Sequence, residues 1–136
     1  MTDTHVELIQ TSFSKVRTIA DAAASLFYER LFTLAPELRP LFPDDMTEQK
    51  KKLMMMLGMI VASLKDPETM RTMLLSLGQR HMSYGVTTEQ FGIVGASLIW
   101  TLEQGLGKDF TPETRTAWLA AYHAIATTMS EAMVEA

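Results

Sequence analysis

The segment LGQRHMSYGV, residues 77–86, carries the residue with the most chemical reach in the chain, His81. On a helix His81 shares a stripe with Leu74, Leu77 and Gly78, so its imidazole faces inward with the apolar side chains. An inward histidine must satisfy two ring nitrogens, and one of them can ligate a metal. Taken alone, the same placement also suits a core histidine with both nitrogens hydrogen-bonded. The 11 methionines, three of them consecutive at 54–56, offer thioethers as metal ligands or as fillers of irregular core space. The absence of cysteine excludes disulfides, thiolate metal sites and haem attached through Cys-x-x-Cys-His. His5 and His123 read as surface or packing residues.

Helical signals run from end to end, and no segment alternates with the two-residue period of a half-buried strand, which predicts an all-α protein. Thr4 with Glu7 predicts a capping box for a helix to about Ala20, and Asp21 opens a second that carries Leu26, Phe27, Leu31 and Phe32. Pro36 starts a short turn and Pro43 leaves it. Asp45 with Glu48 begins a helix to about Leu64, read as a buried helix from its run LMMMLGMIVASL, which is shorter than the roughly 20 residues that cross a bilayer. Asp66-Pro67-Glu68 starts the next helix, which Gly85 ends. Thr87 with Gln90 opens a long helix to about Leu106, and Thr111-Pro112-Glu113 opens the last. The stripes Phe91, Val94, Leu98, Leu102 and Trp118, Tyr122, Ile125, Met129, Met133 predict that these two pair antiparallel across the 105–110 loop.

The net charge of −4 gives no field toward nucleic acid or an anionic membrane. Lys50, Lys51 and Lys52 are each turned about 100° from the next on a helix, so they form a solvated edge, not a phosphate-binding face. The N-terminus has neither the basic start nor the apolar core of a secretory signal, which predicts a cytoplasmic protein.

Two stretches taken together, FYERLFTLAPELRPLF at 27–42 with Gln49 and Leu53 following, and LGQRHMSYGV, resemble the globins, specifically bacterial single-domain globins and the globin part of flavohaemoglobins. The resemblance covers essentially the whole chain and implies one globin domain over 1–136, its helices packed around a haem pocket. It places His81 as the proximal ligand of the iron, its other nitrogen donating to the Leu77 carbonyl. Phe42 matches the phenylalanine on the porphyrin face, and Tyr28 and Gln49 match the distal pair that donates hydrogen bonds to bound oxygen. Leu53 matches the apolar residue over the iron. Leu77, Val86, Phe91 and Val94 complete the haem contacts, and Arg80 and Lys52 are candidate partners for the propionates.

The chain departs from the flavohaemoglobins where those proteins buttress the proximal histidine with a tyrosine and a glutamate; the matching positions here are Phe91 and Met133. It also carries no flavin or nicotinamide domain, so redox turnover needs an external reductase. The implied function is reversible binding of oxygen, and of NO and CO, to a non-covalent b-type haem (iron protoporphyrin IX) by a monomer or weak homodimer. Three rivals stand beside it: a nitric oxide dioxygenase or peroxide scavenger served by a separate reductase, a gas sensor, and a haem-free helical interaction module.

Overall fold

The computed structural model describes residues 2–83 and 87–135, with side chains at all of these except 82, 83, 88 and 132–135. Gly85 and Val86 lie outside the described residues, and of Met133 only the backbone is described. The described residues form six α-helices: α1 (Asp3–Arg17), α2 (Ala20–Leu34), α3 (Thr47–Ala62), α4 (Pro67–Ser83), α5 (Phe91–Leu106) and α6 (Pro112–Glu135). Short 3₁₀ turns at Pro36–Leu41, Thr88–Gln90 and Gly107–Asp109 connect them, and no strand occurs among the described residues.

Most helix starts follow the chemistry of orphan amides, which need a side-chain acceptor. The Asp66 carboxylate takes Thr69 N at 3.3 Å and the Thr69 hydroxyl at 2.7 Å, with Pro67 in the first turn. Those two bonds, the hydroxyl first, hold the Asp66 carboxyl below its ordinary pKa. Thr111 Oγ1 accepts from Thr114 N at 3.2 Å and opens α6. Gln90 Oε1 accepts from Thr87 N at 2.9 Å, but the chain first makes a 3₁₀ turn and α5 begins only at Phe91. At its far end α5 stops at Gly107, whose φ of +52° lies in the left-handed region that glycine adopts without penalty.

The first helix differs from the expectation. Its capping box is made by Thr2 and His5, with Thr2 Oγ1 accepting from His5 N at 3.1 Å. Thr2 captures the orphan amides before Thr4 can, so Thr4 is already helical. The helix also stops early, because Thr18 turns both its amide and its hydroxyl onto the Lys15 carbonyl. The next helix then opens at Ala20, one residue before Asp21, with no side-chain cap. In α3 the Asp45 carboxylate accepts from Thr47 N at 3.0 Å, whereas Glu48 reaches Lys51 at 3.7 Å on the surface.

The core gathers Ile9, Phe13, Leu31, Leu102 and Trp118. Its polar groups are paired: Trp118 Nε1 donates to Ser12 Oγ at 2.9 Å, and Ser12 Oγ donates to the Leu8 carbonyl at 2.7 Å. An unpaired indole N–H there would cost about 1–3 kcal/mol, which explains a serine facing a core tryptophan.

α5 and α6 pair antiparallel as expected, with Glu103 against Arg115 and Gly95 against Tyr122. Each also has a larger neighbour, α2 for α5 and α4 for α6, because a stripe reveals which face of a helix is buried but not everything that buries it. One further expectation needs correction: α3 is not buried throughout. Met54, Met56 and Leu57 turn inward, while Met55 and Met59, four residues apart, are 62% and 48% exposed. Among the described residues no helix is long and apolar enough to cross a membrane.

Candidate functional site

Two groups of predicted site residues assemble, one on each of two apolar clusters. The first is built where α2, the 3₁₀ turn and α3 meet. Tyr28 is buried near the middle of α2, its ring edge-on to Phe27 at 5.1 Å and to Phe42 at 5.6 Å, and stacked with Phe32 at 5.9 Å. Gln49, in the first turn of α3, donates from Nε2 to Tyr28 Oη at 3.1 Å. Because the phenol oxygen accepts from the amide, its own O–H is kept as a donor. Leu53, one turn beyond Gln49, packs against the same cluster.

Phe42 reaches this place because the turn Pro36–Leu41 gives way to extended backbone at Phe42 (φ −118°, ψ 153°), the conformation favoured before Pro43. Arg39 fixes the exit. Its Nη1 donates to the carbonyls of Phe42 at 3.3 Å and Pro43 at 3.0 Å, and its Nη2 to that of Asp44 at 3.2 Å, with the guanidinium 5.3 Å over the Phe32 ring. Neither Arg39 nor Phe32 was singled out from sequence as a site residue; a planar fork three residues before a Phe-Pro-Asp loop is the one signal that pointed there.

Burial pushes the Tyr28 phenol above its ordinary range, and the Gln49 bond pulls it part of the way back. The neutral phenol is therefore the form the fold prefers, and its contribution to stability is complete below the unfolded tyrosine value of about 10 and lost as pH rises through the higher folded value. In an alkaline titration followed by phenolate absorbance, the native protein and Tyr28→Phe are expected to superimpose up to about pH 10. A phenolate that forms below that pH and vanishes in the variant shows the assignment to be wrong.

The second group lies on α4 and α5. His81 is half-buried in the last turns of α4, with Nδ1 2.8 Å from the Leu77 carbonyl. A carbonyl only accepts, so Nδ1 carries the proton, and in neutral imidazole the lone pair then belongs to Nε2. The Phe91 ring meets the imidazole edge-on at 6.4 Å. Leu77 and Phe91 share their cluster with Ile60, Leu74 and Met129. Both α3 and α5 contribute to both clusters, α3 through Leu53 and Ile60, α5 through Val94 and Phe91, and so link the two groups.

The remaining predicted residues lie at the edges. Lys52 is exposed, and Arg80 is exposed with Nη2 donating to Ser76 Oγ at 3.2 Å. Val86 falls outside the described residues. His5 is held in the α1 cap and His123 is exposed, so neither competes with His81. Among the described residues no cluster of histidine, aspartate and glutamate could hold a metal ion by itself.

Behind Leu53 a cavity of about 20 Å³ is walled by Phe13, Phe27, Leu57, Leu98 and Trp118. That is room for one water, but the Trp118 N–H is spent on Ser12 and the Thr101 hydroxyl in the same wall on the Ser97 carbonyl. A water there finds few partners, so the space suits a small apolar molecule better.

The globin family model matches residues 25–129. Neuroglobin of Danio rerio is 33% identical to this chain, covering 77% of it and 75% of the relative, and neuroglobin-1 of Oncorhynchus mykiss is 29% identical, covering 96% and 91%. The solved structure of a bacterial globin from Campylobacter jejuni matches with a TM-score of 0.86 at 25% identity, over 98% of this chain and 97% of that one. The family model and the fold agree: the chain belongs to the globin family, whose members bind haem and diatomic gases.

Proposed function

We propose that this globin holds a non-covalent b-type haem with His81 as the proximal ligand, and binds oxygen reversibly with Tyr28 and Gln49 as the polar groups that retain it. The donor set fits the cofactor. His81 presents Nε2 as a lone-pair nitrogen because Nδ1–H is committed to the Leu77 carbonyl, and a chain without cysteine has no thiolate for the covalent attachment. When bound, haem supplies the iron at which a diatomic gas is held.

The protein's own part is to orient, to donate and to keep water out. The single observation that carries the reading is the bond from Gln49 Nε2 to Tyr28 Oη, which fixes the phenol and leaves its proton to stabilise negative charge on a gas molecule. Leu53, Phe42 and the apolar cavity behind Leu53 keep competing water scarce. On the proximal side a backbone carbonyl is a weaker acceptor than a carboxylate, so His81 acts as a neutral imidazole. That favours holding oxygen over breaking a peroxide bond, which benefits from an electron-rich ligand. Cytoplasmic location, a monomer or weak homodimer, and an external reductase that keeps the iron ferrous belong to the same proposal.

Haemin titrated into the purified protein is expected to give a red complex with a strong Soret band saturating at one haem per chain. After reduction it should bind and release oxygen, and bind CO. A colourless protein that rejects haemin overturns the proposal in favour of a haem-free helical module.

A further inference from the structure

Tyr122, well along α6, has a hydroxyl whose use is not explained by packing. Its ring lies flat on α5 at Gly95, so closely that a Cβ at that position would come within 2.5 Å of Cε2 and 2.9 Å of Cδ2. Only glycine leaves room for the ring. The hydroxyl then donates to the Phe91 carbonyl at 2.6 Å. Burial pushes this phenol well above its ordinary range, so the proton stays in place at neutral pH.

As the first residue of α5, Phe91 already offers its carbonyl to the helix's own i→i+4 ladder, so the tyrosine is a second donor to an oxygen with two lone pairs. The helix does not need that bond in order to form. What the bond adds is a fixed place for Phe91 relative to α6. Phe91 is 6% exposed, and its side chain is the ring that meets His81. The hydrogen bond to Leu77 anchors Nδ1 of the imidazole. The edge-on contact with Phe91 bears on the plane of the ring.

We infer that Tyr122 is a positioning residue for the proximal histidine: through its bond to the Phe91 carbonyl it sets the Phe91 ring, and the Phe91 ring sets the plane in which His81 presents Nε2. The inference rests on His81 being the iron ligand. It assigns the mid-helix tyrosine and the glycine that admits it a role in tuning the iron–imidazole bond from a different helix.

The test uses haem-loaded protein and reads the iron–histidine stretching band of the ferrous, ligand-free form by resonance Raman spectroscopy. Tyr122→Phe keeps the ring on Gly95 and removes only the hydroxyl, and the band is expected to shift or split as the imidazole samples more than one plane. Haem transfer to an excess of haem-free acceptor globin should accelerate about fivefold, the ratio set by one neutral hydrogen bond. Gly95→Ala, which pushes the same ring off α5, is expected to change the band in the same way. Trp118→Phe breaks the buried bond to Ser12 instead, so it should lower the melting temperature while leaving the band in place. A band unmoved in both Tyr122→Phe and Gly95→Ala, or moved equally by Trp118→Phe, overturns the inference. A native band that persists in His81→Ala overturns the underlying assignment of the ligand.

Discussion

Replacing His81 with alanine is expected to abolish iron ligation from the protein, the largest single effect available in this chain. The other two histidines cannot substitute. His5 is tied into the cap of α1 with its Nδ1 facing Thr2 N, and His123 is exposed on α6. The methionines of the apolar cluster around Leu77, which are Met56, Met70, Met73 and Met129, offer only thioethers, which are weak and poorly directed ligands. Haem can linger by apolar contact, so colour is the wrong readout. The ferrous, ligand-free spectrum is the right one, together with its recovery when free imidazole is supplied to the space the side chain left. Recovery shows that the pocket survived and only the ligand was lost. A spectrum identical to that of the native protein removes His81 from the proximal position.

Oxygen release from Tyr28→Phe is expected to be roughly tenfold to hundredfold faster. Phenylalanine keeps the ring among Phe27, Phe32 and Phe42, so the variant loses one hydroxyl and little packing. A hydrogen bond to a charge-bearing acceptor is worth about 1.5–3 kcal/mol, and each 1.4 kcal/mol is a factor of ten. The change also strips Gln49 Nε2 of its acceptor. An amide released in this way can turn toward the gas and recover part of the loss, so Tyr28→Phe with Gln49→Leu should exceed the single variant. Carbon monoxide carries less negative charge and should respond less. The measurement is a pair of dissociation rates, for oxygen and for carbon monoxide, in the same variant. If the two rise in parallel, the substitution has opened a path and not removed a bond.

Local chemistry was legible in the sequence, and chemistry across the fold was not. The helical class, the starts at Asp66 and Thr111 and the stop before Gly107 follow from residues a few positions apart, where the chain itself fixes the geometry. The bond from His81 to Leu77 is of the same kind, one turn back along one helix. Tyr28 and Gln49 stand 21 residues apart, and only the resemblance to globins put them together. The Thr2 cap escaped because Thr2 and Thr4, two residues apart, compete for the same amides, and propensity does not rank them. The pairing of α5 with α6 was legible from their stripes and the short loop, but the larger contacts of α5 with α2 and of α6 with α4 were not, because a hydrophobic stripe names a face without naming every partner. The Tyr122 hydroxyl and the Arg39 guanidinium escaped for one reason: both bind backbone carbonyls, which every residue has and no residue type announces.

Arg39 has one more consequence, which concerns length. Surface connections ordinarily accept inserted residues at small cost, because their ends are fixed and their middles are not. The segment after Leu41 is different, since three successive carbonyls, those of Phe42, Pro43 and Asp44, converge on one rigid fork. A single added residue among them puts at least one oxygen out of register with the guanidinium and swings Phe42 away from Tyr28. What this corner constrains is the residue count between Arg39 and Asp44 more than the identity of each residue. Chains that share this arrangement should therefore keep Arg39, Phe42 and the spacing between them, and vary more freely at the positions around them.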